Sequence, residues 1–233
     1  MAKKQFFIIV DTETTVNDTV YDFGAIVVDR EGKIFASCAV IVAESADMEL
    51  FYDPTSKNHL WSKAYAAEKK AGYNAMLDKG SRMMASTNAV NIWLAKANAK
   101  YSPTLTAYNV AFDRSKCAKT GIDLSIFSQS FCLWHLACEI FAKTKDYKNF
   151  VLENHYFGNK TELGNMGYKT NAEIMAHFVT GQFSEEPHTA LEDAQFYELP
   201  ILQAILKKKN WREKLGKAYN WREYQLKNHF TAK

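Results

Sequence analysis

Residues Phe6 to Val10 form an unbroken apolar run that stops at Asp11. A strand with one solvated face alternates apolar and polar residues, so a continuous run needs cover on both faces. Gln5 to Val10 therefore reads as a central strand with helices packed on each side of its sheet, and this limits the chain to layered α/β arrangements.

The rest of the chain supplies such layers. Tyr21 to Asp29 and Lys33 to Val42 flank Asp29-Arg30-Glu31-Gly32, a turn with glycine where positive φ is required, and read as a β-hairpin. Thr55 to Leu77 and Ser86 to Ala99 carry apolar residues at three- and four-residue spacing and read as helices. Thr104 to Tyr108 is a short strand after Ser102-Pro103, and Phe131 to Leu133 is another that leads into a helix through Phe141. Thr170 with Glu173 has the form of a capping box, opening a helix to about Val179. A last long helix begins near Ala190 and passes Pro200, which should kink it. Antiparallel strands first and strand–helix units afterwards predict a mixed sheet flanked by helices.

With 47% hydrophobic and 24% charged residues in 233, and only four prolines and ten glycines, the chain is globular without a long linker. Its net charge of +3 conceals an asymmetry. Residues 207–233 hold nine Lys/Arg against two Glu, about +7, leaving 20 basic and 24 acidic residues, about −4, in the preceding 206. The expected division is a domain over 1–206 and a basic helical tail over 207–233. An acidic body with a basic tail suits a metal site and a polyanionic substrate; a solvated terminal helix is the alternative. The four cysteines (Cys38, Cys117, Cys132, Cys138) contain no C-x-x-C pair, which predicts free thiols and a cytoplasmic, reducing setting. Cys132, His135 and Cys138 stand at helical steps, yet the neighbourhood offers no fourth zinc ligand. The N-terminal apolar run is too short for a signal peptide or membrane span.

Three short motifs carry chemistry. Asp11-Thr12-Glu13 ends the buried strand, and residues two apart share a strand face. Two like charges at such a place need neutralising, which a divalent cation does well; a polar strand end with Thr14 and Thr15 as caps is the plainer reading. In Tyr108-Asn109-Val110-Ala111-Phe112-Asp113, Asn109 stands where a strand gives way to a helix, with Asp113 on the same helix face and Phe112 turned toward the core. In Pro187-His188-Thr189-Ala190-Leu191-Glu192-Asp193, Thr189 and Glu192 form a second capping box. The helix then starts at Ala190, leaving His188 on a loop opposite Asp193 fixed in the first turns.

The order of these motifs resembles the DEDDh subgroup of the DnaQ-like 3′–5′ exonucleases, over roughly residues 5 to 200. Asp11-Thr12-Glu13, Asn109 to Asp113 and His188 to Asp193 match its three exonuclease motifs, and the H-x4-D spacing favours the histidine subgroup. Asp22-Phe23-Gly24-Ala25 fits the family's second strand. Glu44 to Lys100 and Lys143 to Tyr168 are longer than in compact members and resemble the small exonucleases of bacteriophages, which would place the protein in host cytoplasm.

The resemblance implies an RNase H-like, mixed five-stranded sheet and two divalent cations, Mg²⁺ or Mn²⁺, held by Asp11, Glu13, Asp113 and Asp193, with His188 as general base. It implies release of nucleoside 5′-monophosphates from the 3′ end of a single strand, DNA favoured, with Thr12 and Thr14 receiving the terminal sugar and Asn109 beside them. His59, Trp61, Tyr65 and Tyr73, interleaved with Lys57, Lys63, Lys69 and Lys70, would stack bases and hold phosphates, with Trp61 and Lys57 foremost; a helix core with a solvated lysine face is the alternative. Trp211, Tyr219 and Trp221 in the basic tail could add a nucleic-acid surface. An exoribonuclease on the same scaffold, or a proofreading subunit that binds a polymerase or clamp, are the competing functions. Gln225 to Phe230 loosely resembles a clamp-binding hexapeptide, with Asn228 where an apolar residue is expected. An exposed aromatic surface on the insert would permit a homodimer.

Overall fold

A computed structural model of the chain describes residues 4–160 and 164–226. Strands β1 (Phe6–Thr14), β2 (Val20–Asp29) and β3 (Ile34–Val42) form an antiparallel meander. Helix α1 (Lys63–Asp78), strand β4 (Met83–Ala85) and helix α2 (Thr87–Tyr101) follow, then β5 (Thr104–Ala107), α3 (Val110–Thr120) and β6 (Ser130–Cys132). The resulting six-stranded sheet has the order β4-β3-β2-β1-β5-β6, and only β2 runs against the others. The fold is therefore α/β with a mixed sheet between helices. The expected five strands become six because Met83–Ala85, inside the long insert, pairs in parallel with β3.

Beyond β6 the chain is mainly helical: α4 (Leu133–Ala137), α5 (Lys145–Glu153), α6 (Ala172–Thr180), α7 (Ala190–Asp193) and α8 (Leu199–Leu206). A π turn, Cys138–Ala142, follows α4, and another, Ala194–Glu198, joins α7 to α8. Pro200 stands in the first turn of α8, so the irregularity expected at that proline is a widened turn just ahead of it. A second sheet, β7 (Phe157–Lys160), β8 (Met166–Tyr168) and β9 (Gln225–Leu226), is antiparallel and was not legible in the sequence.

The apolar run of β1 divides its residues between two cores, as its lack of alternation requires. Phe7 and Ile9 pack with α4, α6 and α8, whereas Ile8 and Val10 pack with Val90 and Leu94 of α2 and Cys117 of α3. All four are fully buried, each contributing about 1.5–3 kcal/mol. Continued past Val10, the alternation puts Asp11 and Glu13 on the α8 side and Thr12 and Thr14 on the α3 side.

Several local expectations change. The helix expected from Thr55 begins at Lys63, where Ser62 accepts the Tyr65 N–H; His59–Trp61 form a separate 3-10 turn. Neither capping box forms. Thr170 accepts the Trp134 indole N–H while Asn171 takes the cap position, and Thr189 makes no cap bond while the Glu192 carboxylate pairs with Arg82. Phe112 faces outward, beneath the Lys116 ammonium. The tail is not helical over its described part, which consists of 3-10 turns at Trp211–Lys214 and Trp221–Glu223 and then β9. Trp211 and Tyr224 enter the main core, and Lys217 bonds Glu139. Most of the hexapeptide Gln225 to Phe230 lies outside the described residues. No helix among them is long and apolar enough to cross a membrane.

Candidate active site

At the C-terminal end of β1 the strand's two faces serve different partners. Thr12 donates its hydroxyl to Asp113 Oδ1 at 2.9 Å, tying the first turn of α3 to the strand. On the other face, Asp11 and Glu13 meet Asp193 at the end of α7. One ligand atom each from Glu13, His188 and Asp193 lies within 4.8 Å of the others, the sole group of this kind among the described residues. Cys132, His135 and Cys138 form no such group: Cys132 donates to the Tyr108 carbonyl and His135 stacks on Tyr219.

Gly24, paired with Asp11 across the sheet, allows α7 to approach. A Cβ there would lie 2.3 Å from the Ala190 carbonyl carbon and the Leu191 nitrogen, so only glycine fits. Asp22, two residues earlier on β2, accepts the Ala190 N–H at 2.9 Å and so takes the capping role the sequence gave to Thr189. Arg82 clamps this junction. Its wholly buried guanidinium donates to Asp22 at 3.0 and 3.3 Å and to both oxygens of Glu192. His188, just ahead, holds a left-handed backbone with φ 53°, uncommon for a side chain of this type. The Tyr73 hydroxyl donates to the His188 carbonyl at 3.4 Å.

Electrostatically the site is an acid cluster short of cations. Burial, and then the charges of Glu198, Asp193, Asp113 and Glu13, push the Asp11 carboxyl far above the ordinary carboxylate range. Burial lifts Asp113 to about 7 and, helped by Glu186 and Glu13, Asp193 to about 10. Glu186 is raised to about 7, also mainly by burial. Burial and then Lys69 lower His188, so its ring is neutral at neutral pH. Lys69 of α1 places its ammonium 2.7 Å from Glu13 Oε2.

The acids fit a hard divalent cation. Asp11 Oδ2, Asp193 Oδ1 and Glu198 Oε2 are buried without a hydrogen-bond partner, and carboxylate oxygens are the donors that Mg²⁺ and Mn²⁺ prefer. Glu198 was missed in the sequence. It is 2% exposed, accepts the Tyr108 N–H at 3.0 Å and presses on Asp11 and Asp193. Regular helical spacing turns a residue five after Asp193 away from it, so only the π turn brings this acid in.

A cleft of about 480 Å³ opens from Glu13 and His188. Thr12 and Thr14 line its floor, Trp61, Leu60, Phe51 and Phe112 its walls, and Lys69 and Lys116 its cationic side. The Trp61 ring stands 6.3 Å from that of His188 and 5.9 Å from that of Phe51. Of the sequence-predicted residues, Asp11, Glu13, Asp113, Asp193 and His188 converge, and Thr12, Thr14 and Trp61 border the cleft. Lys57 is exposed and does not line it; Lys69 and Lys116 do. Asn109 begins α3 in backbone terms only: it is exposed, makes no side-chain cap bond and does not line the cleft. Tyr73 is core, against Tyr21.

Comparison of the sequence with protein-family models and with curated proteins found no match in either.

Proposed function

We propose that the chain is a metal-dependent 3′–5′ exonuclease of the DEDDh kind, removing nucleoside 5′-monophosphates from the 3′ end of a single nucleic-acid strand. The observation that carries this reading is the convergence, at one end of β1, of acids from three separate stretches with a histidine beside an aromatic cleft. The mixed sheet with one antiparallel strand is compatible with the RNase H-like fold that the motifs imply.

Asp11, Glu13, Asp113 and Asp193 would hold two divalent cations, Mg²⁺ or Mn²⁺. Such ions, when bound, stabilise charge on the attacking and leaving oxygens of a phosphodiester. His188, neutral at neutral pH, accepts the proton of the attacking water at a ring nitrogen. Its ring is held at the cleft rim by the Trp61 contact and the fixed backbone ahead of α7. Thr12 and Thr14 offer a narrow polar floor for the terminal sugar, and Trp61 offers a face for its base. The cleft favours an unpaired end, because a base must leave its partner to lie against Trp61.

The test is a panel of 5′-labelled single-stranded DNA, duplex DNA, RNA and dinucleotides with Mg²⁺ or Mn²⁺. A ladder shortening from the 3′ end, stopped by EDTA and restored by either ion, is expected, with DNA cut faster than RNA. Faster cutting of RNA makes the enzyme an exoribonuclease, and no shortening of any substrate overturns the reading.

A further inference from the structure

Lys69 comes from the long insert, not from any of the three motifs, yet its ammonium reaches into the acid cluster. The Nζ atom lies 2.7 Å from Glu13 Oε2, with the two side chains 14% and 22% exposed. Glu13 is also one of the three residues whose ligand atoms gather within 4.8 Å. The ammonium thus pairs with a carboxylate that a divalent cation would need. It also faces open space, since Lys69 lines the cleft beside Thr12, Thr14 and Trp61.

Helix α1 does not depend on this ion pair for its position. Ser62 caps its first turn, Tyr73 is buried against Tyr21, and Lys70 donates to the Met48 carbonyl at 2.7 Å. The Lys69 stem, with four methylenes, can therefore swing without moving its helix. Lys116, the other cation of the cleft, is held by Asp18 at 2.7 Å. Lys69 is the cation placed to change partner.

We propose that Lys69 is an exchangeable counter-ion. It neutralises Glu13 in the metal-free site, yields that carboxylate to a divalent cation, and moves to a phosphate oxygen of the substrate. The proposal rests on the nuclease reading above and adds a coupling to it. A cation at Glu13 and Asp193 repels the ammonium, and an anionic phosphate gives it a new partner within reach of the cleft. Nucleotide and metal therefore each strengthen the binding of the other, by the same factor in both directions.

The test measures binding of Mn²⁺ alone, and of dTMP with and without Mn²⁺, to the full chain and its Lys69→Met and Lys69→Arg variants. In the unaltered protein dTMP should tighten Mn²⁺ binding. Lys69→Met should bind Mn²⁺ about fivefold more tightly without nucleotide, bind dTMP about tenfold more weakly with Mn²⁺ present, and lose the coupling. Lys69→Arg should recover dTMP binding. Opposite signs for metal and nucleotide are the signature, because a structural anchor for Glu13 predicts weaker binding of both. Weaker Mn²⁺ binding by Lys69→Met, or unchanged dTMP binding, overturns the proposal while leaving the nuclease reading intact. If the unaltered protein binds neither Mn²⁺ nor dTMP, both fall.

Discussion

Gly24 and Ala190 touch through backbone alone: a single carbon added to Gly24 would meet the Ala190 carbonyl carbon at 2.3 Å. His188 and Asp193 lie on either side of that contact. Gly24→Ala should therefore displace both, and a shift of about 1 Å costs about 10²-fold in rate. The expected result is a fall in kcat of at least that size with a destabilisation of about 1–3 kcal/mol. Single-turnover rates and thermal melting measure the two effects, and a normal rate would show that α7 does not depend on this approach.

Arg82 is the next point of failure. Replacing it by methionine leaves Asp22 and Glu192 without their shared cation, at a cost of about 3–5 kcal/mol. For a chain of this size that corresponds to a melting temperature lower by about 6–20 °C. The double variant Arg82→Met/Asp22→Asn should lose less than the two single losses added together, because the second change removes the charge that the first strands.

The acids make stability depend on pH in a defined direction. Asp113 and Asp193 bind protons more tightly in the folded chain than their ordinary value of about 4. Their stabilisation is complete below pH 4 and is lost as pH rises, first through about 7 for Asp113 and then toward about 10 for Asp193. Metal-free protein should thus melt at progressively lower temperature between pH 5 and pH 8. Divalent cations compete with the same protons, so the rise in melting temperature produced by Ca²⁺ should be larger at pH 8 than at pH 6. An increment independent of pH would place the ion elsewhere.

Asp193→Asn separates stability from activity. It removes a buried carboxyl held far above its ordinary range while keeping its shape. The metal-free variant should melt higher than the unaltered protein, by more at pH 8 than at pH 5. Hydrolysis and the Ca²⁺-dependent increment should both disappear.

Trp61 offers a fifth readout. Base stacking on an aromatic ring is worth about 1–3 kcal/mol, so Trp61→Ala should raise KM for a single strand about tenfold or more. The ring also touches His188, and kcat should fall by a smaller factor. An unchanged KM would assign Trp61 to the cleft wall alone.

The central strand was legible because five apolar residues in a row permit few surroundings, and the two-residue alternation past Val10 then fixes where Asp11 and Glu13 point. His188 and Asp193 were legible as a loop residue and a helical one. What held them was not: the capping pattern at Thr189 and Glu192 suggested a local bond, but a buried arginine sixty residues after Asp22 claims both acids for a long-range network. Local propensity cannot report a partner supplied by another part of the chain. The same reason hid the pairing of Lys69 with Glu13, since in sequence Lys69 is one of four lysines expected to hold phosphates. Glu198 was hidden differently, since helical periodicity turns it away from Asp193 and only the irregular turn brings it back.

That turn has a consequence for how this site could arise. Two residues five apart on a regular α-helix differ in direction by about 140°, whereas a π turn bonds i to i+5 and brings such residues into line. Between Asp193 and Glu198 the widening amounts to one residue of extra length. Deleting one residue of the turn ahead of the acid would set it four residues after Asp193, still on one helix face, and leave the buried face of Leu199–Leu206 where it is. The π turn thus absorbs one residue of length without parting the two acids. Wound as a regular α-helix without shortening, the same residues would turn the core face of α8 by about 100°, so the burial of that face is what holds the turn wide.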